Sequence, residues 1–499
     1  MELTILFCFL AYTVALFFVM WLTQRKGSSG NEAFFRAGRR SPWPVVAYGM
    51  IGASLSGVTF MSVPGGVYAG QWTYMPLVFG YVLGYAVIAA VLLPLYYKLN
   101  LTSIYTYLGQ RFGARSEKTG AAFFILSRLL GSALRMYLVV FVLYEFVFRA
   151  WGIPFWIPAV VFIAIILLYT FRGGIKTVVW TDMLQTTFLL LAAAATVVAI
   201  VGRLDMSVTD VLRLSADSGQ LRMFETDPSA SKYWIKQVVS GMFITITMTG
   251  LDQDMMQKNL TCKTLRDAQK NVMTSSMLFI VVNLLFLCLG STLLVYASQT
   301  VFELPTGANG AVVADKIFPS VAFSLSGFTA VMFVLGMVAA GYSSADGTLT
   351  ALTTTFCYNF LDYNNAANTE STRLVRRRRL VHVTFALLYL LVIIGFRPFH
   401  RQSLIDTVFD VAGFTYGPLL GLYSFGLFVH RRANDRLVPY IAVLSPLVCL
   451  LLKFNSAQWF GGYQIGFEIL LINGLITFLM LLIFSKKETS TLPMHPTAK

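Results

Sequence analysis

The sequence predicts an all-α polytopic membrane protein with about thirteen transmembrane helices, and three observations carry that expectation. First, 57% of its 499 residues are apolar, only 12% are charged, and the mean hydropathy is +0.69. Soluble domains carry roughly twice that share of charge, and a folded soluble chain keeps a polar skin that this composition does not supply. Second, the apolar residues come in blocks such as 3–22, 184–201 and 277–297, nearly free of charge. At about 1.5 Å per residue, each block spans a hydrocarbon layer of about 30 Å as a helix. Third, Lys and Arg collect in alternate connections between the blocks. Soluble enzymes, nucleic-acid binders and disulfide scaffolds are thereby set aside.

Taken in order, the spans fall at approximately 3–22, 43–62, 73–97, 119–148, 153–171, 177–202, 233–251, 271–297, 321–352, 379–396, 404–429, 437–453 and 463–485. With the N-terminus outside, the cytoplasmic connections hold Arg25, Lys26, Arg36, Arg39 and Arg40, then Lys98, Arg111, Arg115 and Lys118, then Arg172 and Lys176. They go on to hold Lys258, Lys263, Arg266 and Lys270, then Arg373 with Arg376–Arg379, then Arg431, Arg432 and Arg436, and finally Lys486 and Lys487. The opposite connections are nearly free of basic residues apart from the loop 203–232, whose charges nearly balance. This bias sets orientation and predicts an N-terminus outside and a C-terminus inside a plasma membrane, read as a bacterial inner membrane. The formal net charge of +15 is therefore mostly topology. The run Arg376–Arg379 reads as an anchor beneath the next span rather than a nucleic-acid patch. The five cysteines are scattered without a CxxC pair, and the first span has its basic cluster after it, unlike a cleaved signal peptide.

Two spans are not continuously apolar. Residues 49–59 of the second hold three glycines and three hydroxyl residues, and the seventh carries Thr245, Thr247 and Thr249 before Gly250-Leu251-Asp252. Hydroxyls at every second position do not share a helix face, which points to partial unwinding. Irregular backbone at membrane depth is tolerated where it is buried or lines a cavity. Each break opens a group of five spans, and the two groups enter from opposite sides, the pattern of a secondary transporter built on an inverted repeat. The expected organisation is an extra helix and basic loop (1–42), a first repeat (43–202), an outer loop (203–232), a second repeat (233–429), two further helices (430–485) and a disordered polar tail (486–499).

Depth arithmetic collects the polar residues into one slab. Gly52 and Leu55 sit about 13–18 Å in from the cytoplasmic end of their span, Asp182 about 8 Å, and Ser343, Ser344 and Asp346 about 24–29 Å along an inward-running helix. Freed carbonyls, hydroxyls and carboxylates suit a hard alkali cation. For Asp182 and Asp346 the alternatives are solvation at the interface or pairing with Arg172, Lys176 or Arg128.

These same residues resemble the sodium:solute symporter family over roughly 3–485. The resemblance rests on Ser54-Leu55-Ser56-Gly57-Val58-Thr59-Phe60-Met61-Ser62-Val63-Pro64, Gly173-Gly174-Ile175 with Val179-Trp180-Thr181-Asp182, Gln253-Asp254-Met255-Met256-Gln257, and Ala339-Ala340-Gly341-Tyr342-Ser343-Ser344. It implies a leucine-transporter-type five-plus-five core with two discontinuous helices, and solute uptake coupled to sodium entry with no organic cofactor. Carried over by motif, the sodium ligands fall on Gly52, Leu55, Ala340, Ser343 and Ser344. Asp182 supports a nearby or second sodium site in some members. Sialic-acid members, to which the chain is broadly similar, have small hydroxyl residues where Asp346 and Gly347 stand. The extra carboxylate of Asp346 then either strengthens a second cation site or binds a proton.

The solute site is expected between the breaks, lined by Ser54, Ser56, Thr59, Trp72, Tyr74, Thr245, Thr247 and Thr249. Hydroxyls and aromatic faces suit a polar organic solute: a sugar, a sialic-acid-like acid, or alternatively an amino acid, carboxylate or vitamin. Arg128 and Arg135 flank Gly131 on one helix face. Either contacts substrate where sialic-acid members place an arginine at Gly131, or each pairs with a carboxylate or snorkels. The four histidines (His382, His400, His430, His495) form no catalytic pair, and no output domain is evident, which disfavours an enzyme or sensor; a channel on the same fold is the other alternative, and it would show flux without accumulation. A functional monomer without nucleic-acid partners is expected.

Overall fold

The computed structural model describes residues 2–25, 30–228, 230, 232–307, 310–363, 371–397, 404–463 and 465–487, so the expected tail lies outside the described residues from 488 on. Ten described helices are long and apolar enough to cross a membrane, and an eleventh span is the bent pair Trp43–Ser54 and Gly57–Gly70. The remaining expected spans, the seventh and thirteenth, appear as Trp234–Thr245 with its continuation and as the shorter apolar helix Ile469–Ile483. The fold is all-helical apart from an antiparallel ladder of Arg431–Arg432 on Lys486–Lys487.

The first break is made locally. Leu55 is extended (φ −83°, ψ 92°), and Ser56 caps the next helix by accepting from the Thr59 amide at 3.5 Å. The two halves diverge by 62°. The second span runs to Gly70 rather than ending near 62, because the 12 residues before the break rise only about 18 Å. In the seventh span the expected unwinding takes a different form. Its helix widens into a π turn at Ile246–Gly250, and the chain breaks only at Leu251, before Asp252 caps Gln253–Asn259. Thr247 stays wound because its hydroxyl donates to the carbonyls of Phe243 (2.8 Å) and Ile244 (3.0 Å).

The ninth span begins at Gly327, capped by Ser326, and runs on to Asn359. Polar Thr353 and Thr354 do not end it, since each hydroxyl bonds back to the carbonyl four residues earlier. This helix is the axis of the molecule: 89% of its most apolar window is buried. It packs on Ile175–Leu204, on Ala114–Leu143 and on both halves of the first broken span.

Among the described residues, contacts between connections join ones expected on the same side. Ser41 pairs with Cys262, Arg36 Nε donates to Thr102, Asp435 accepts from Ser116, and the Trp72 amide donates to Arg222 in the 203–232 loop. Arg378 departs from the anchor expected of its run. It is fully buried, donates to the Gly30 carbonyl and lies over the Phe34 ring.

Glycines bring helix backbones close together. A Cβ on Gly241 would lie 2.1 Å from the Leu77 carbonyl, and one on Gly80 2.1 Å from the Val238 carbonyl. Gly413, Gly417 and Gly421 instead make room for the side chains of Ile469, Asn473 and Thr477. Gly66, by contrast, has open space about its missing side chain. Gly241→Val should therefore destabilise the purified protein by about 1–3 kcal/mol or more, read as a lower melting temperature in detergent, while Gly66→Ala leaves it unchanged or slightly raised.

Candidate functional site

The first broken span lies directly on the Ile175–Leu204 helix. A Cβ on Gly49 would come within 2.9 Å of Asp182 Cβ, and one on Gly52 within 2.3 Å of Thr186 Oγ1. Gly52 N–H donates to that Thr186 oxygen at 3.1 Å. Leu55 N–H closes the last helical bond, onto Ile51, so the carbonyls from Gly52 to Leu55 lack the donors an unbroken helix would give them. Gly52, Leu55, Ala340, Ser343 and Ser344 are all buried, on two helices in contact. Ser343 Oγ donates to Asp182 Oδ1 at 2.6 Å, and Ser344 Oγ lies 3.4 Å from Ser132 Oγ. The donor set is carbonyls and hydroxyls beside a carboxylate, which fits a hard monovalent cation. Among the described residues no cluster of His, Cys, Asp and Glu could hold a transition metal.

From Asp182 a chain of buried charges runs across the core. Asp182 Oδ2 is 2.9 Å from Lys258 Nζ, which lies 3.4 Å from Asp254 Oδ1. Asp254 accepts from Arg128, whose other guanidinium nitrogen is 3.5 Å from Asp252 Oδ2, and Asp252 accepts from the Tyr416 hydroxyl. None of these charged side chains is more than 4% exposed. Asp182 thus pairs with Lys258 and not with the arginines or lysine weighed from sequence. Lys258 itself, counted with the cytoplasmic loop, is 1% exposed. Asp346, fully buried, stands apart from this chain. Its Oδ2 accepts from the Tyr169 hydroxyl at 2.8 Å, with Thr181 Oγ1 and Gln185 Nε2 at 3.4 Å, and its Oδ1 accepts from the Gly347 amide at 2.6 Å.

A cavity of about 100 Å³ lies against the break. Ser54, Ser56, Thr59, Tyr74, Thr245, Thr249, Arg128 and Arg135 line it. Thr245 and Thr249, four residues apart, face it together. Thr247 does not, nor does Trp72, which is buried and donates to Ser291 Oγ at 3.0 Å. Sequence reasoning missed Tyr81, Tyr85 and Asn283 in the lining. Asp252, Asp254 and Lys258, three charges within seven residues at the end of a broken span, are the readable sequence signal for the charge chain. Arg128 faces the cavity while held by its two aspartates. Arg135 lines it beside the Tyr74–Tyr81 hydroxyl pair (3.2 Å) and has no ion-pair partner among the described residues. Tyr74 also borders an outer cavity of about 550 Å³.

A family model described as the sodium:solute symporter family matches residues 34–437. The chain belongs to the sodium:solute symporter family. It is 26% identical to the sodium/sialic acid symporter NanT of Aliivibrio fischeri, over 94% of this chain and 91% of that one. It is likewise 26% identical to the sodium/sialic acid symporter SiaT of Proteus mirabilis, over 89% of each. A solved structure of a sodium-coupled sialic acid symporter in a substrate-bound outward-open state superposes with a TM-score of 0.82. It is 22% identical and covers 98% of this chain and 99% of its own. As a member of the sodium:solute symporter family, this multi-pass protein is a sodium-coupled secondary transporter on the inverted-repeat fold with two discontinuous core helices.

Removing one partner from a buried ion pair strands the other charge. Arg128→Met should therefore cost about 3–5 kcal/mol of stability, seen as a large fall in melting temperature. Adding Asp252→Asn and Asp254→Asn to Arg128→Met should recover most of that loss.

Proposed function

We propose that this symporter takes up a polar, carboxylate-bearing organic solute of the sialic-acid type. The observation that carries the reading is Arg135, a half-buried guanidinium without an ionic partner among the described residues, in a cavity whose polar lining otherwise comes from hydroxyls, tyrosines, Asn283 and the already paired Arg128. A guanidinium receives a carboxylate through two parallel bonds, and the hydroxyls of Ser54, Ser56, Thr59, Thr245 and Thr249 offer contacts to a polyhydroxylated body. Arg128, already paired with Asp252 and Asp254, serves as the positive wall behind it rather than as the anion's ligand.

In this reading one sodium binds the carbonyls of Gly52, Leu55 and Ala340 and the hydroxyls of Ser343 and Ser344. The same short segment, Ser54-Leu55-Ser56, presents carbonyls toward the cation and hydroxyls toward the solute. Sodium that fixes the break therefore pre-forms the solute site, and the two ligands favour each other by linkage. The repeats 43–202 and 233–429, an N-terminus outside and a C-terminus inside a bacterial inner membrane, and action as a monomer without an organic cofactor complete the proposal. The alternation of basic connections supports the orientation.

Uptake of radiolabelled N-acetylneuraminate into proteoliposomes tests it. An inward sodium gradient should drive accumulation above the outside concentration, and a choline gradient should not. Arg135→Met should raise KM by about tenfold or more, the worth of a charge-assisted bond, with the sodium requirement unchanged. Ser343→Ala should instead shift the sodium requirement upward. Uptake that is equal with and without sodium would sink the coupling, and an Arg135→Met chain with unaltered KM would sink the carboxylate contact.

A further inference from the structure

We propose that the Lys258 ammonium is a built-in cation that fills the place beside Asp182 where a second sodium would otherwise bind, so that the chain binds a single sodium ion. The inference rests on the sodium site proposed above. Asp182 is shared between two cationic demands: one carboxylate oxygen takes the Ser343 hydroxyl at 2.6 Å, and the other faces Lys258 Nζ at 2.9 Å. The ammonium thus lies across Asp182 from a proposed sodium ligand. It is held on its far side by Asp254 at 3.4 Å, and Lys258 is 1% exposed. A lysine near a membrane face normally extends its amine to water. This one is turned inward by the short helix Gln253–Asn259 that follows the second break.

The space for the ammonium is made by one residue. A Cβ on Gly347 would lie 2.9 Å from Lys258 Nζ and 2.3 Å from Asp254 Oδ1. Gly347 sits in the interior of the Gly327–Asn359 helix, where glycine costs about 1 kcal/mol relative to alanine and no unusual backbone angle calls for it. Its role is clearance for the Lys258–Asp254 pair. The other carboxylate nearby does not need a cation. Asp346 is held by the Gly347 amide and the Tyr169 hydroxyl, with Thr181 and Gln185 close by. A tethered ammonium compensates Asp182 and Asp254 as a bound sodium would. It cannot leave for the cytoplasm, so it contributes charge balance without contributing ion flux.

Equilibrium binding of ²²Na⁺ alone to the purified chain tests this. The wild-type chain should bind about one sodium ion, with a Hill coefficient near one. Lys258→Ala should bind about two, because the vacated place between Asp182 and Asp254 then accepts sodium, and Lys258→Arg should keep the wild-type count. Lys258→Ala with Asp254→Asn, which strands less charge and keeps Arg128 on Asp252, carries the same expectation should the single variant fold poorly. A wild-type count of two overturns the inference, as does a folded variant lacking the lysine that still binds one. A wild-type chain that binds none beside a Lys258→Ala chain that binds one supports the blocking role of Lys258 and instead contradicts the sodium site proposed for the break. No binding by either chain overturns both.

Discussion

Buried charge in a membrane-spanning core must be answered by charge or by donors, and that constraint organises this protein. Asp182, Asp252, Asp254 and Asp346 are all at most 1% exposed; among the described residues Arg128 and Lys258 pair with the first three, and neutral donors answer Asp346. Most bonds in the set reach to a different helix: Asp182 to Ser343 and Lys258, Asp254 to Arg128, Asp252 to Tyr416, and Asp346 to Tyr169. The helices that carry these residues are therefore held in register by polar contacts, where lipid supplies no hydrophobic drive to sort them. Glycines at 49, 52 and 347 are the spaces that let these groups meet.

The set also has an excess of acid over base. Asp182, one of these acids, packs against Gly49 of the first broken span, and in the proposed reading a cation held by the freed carbonyls meets its favourable field. On the other side of the same break lie the hydroxyls of the cavity, with Arg135 supplying positive charge. The proposed cation ligands and the cavity lining thus share one extended residue, Leu55. In the proposed reading this closeness is the physical basis of coupling: fixing the segment for one ligand fixes it for the other.

What could be read from sequence follows from how local each feature is. The spans were legible because hydropathy is a local sum, and the first break because Gly, Ser and Thr crowd into residues 49–59. Helix ends were harder. Caps at Ser326 and Asp252 and back-bonded threonines at 353 and 354 let helices start or continue where composition alone suggests a stop. Thr245 and Thr249, four residues apart, face the cavity together, whereas Thr247 between them turns away with the helix, a difference that depends on how the span winds. Long-range pairing was not legible. Nothing near Lys258 in the chain announces Asp182, so its positive charge read as one more cytoplasmic residue. Gly347, likewise, acquires its meaning only once the Lys258 amine is seen beside it.

The central claim is that a cation at the break and a solute in the cavity stabilise each other. The most direct measurement is the equilibrium affinity of the purified chain for N-acetylneuraminate in sodium and in potassium at equal ionic strength. The account predicts binding tighter by about fivefold or more in sodium, with sodium affinity raised by the same factor when the acid is saturating. Equal affinity in the two salts would contradict it.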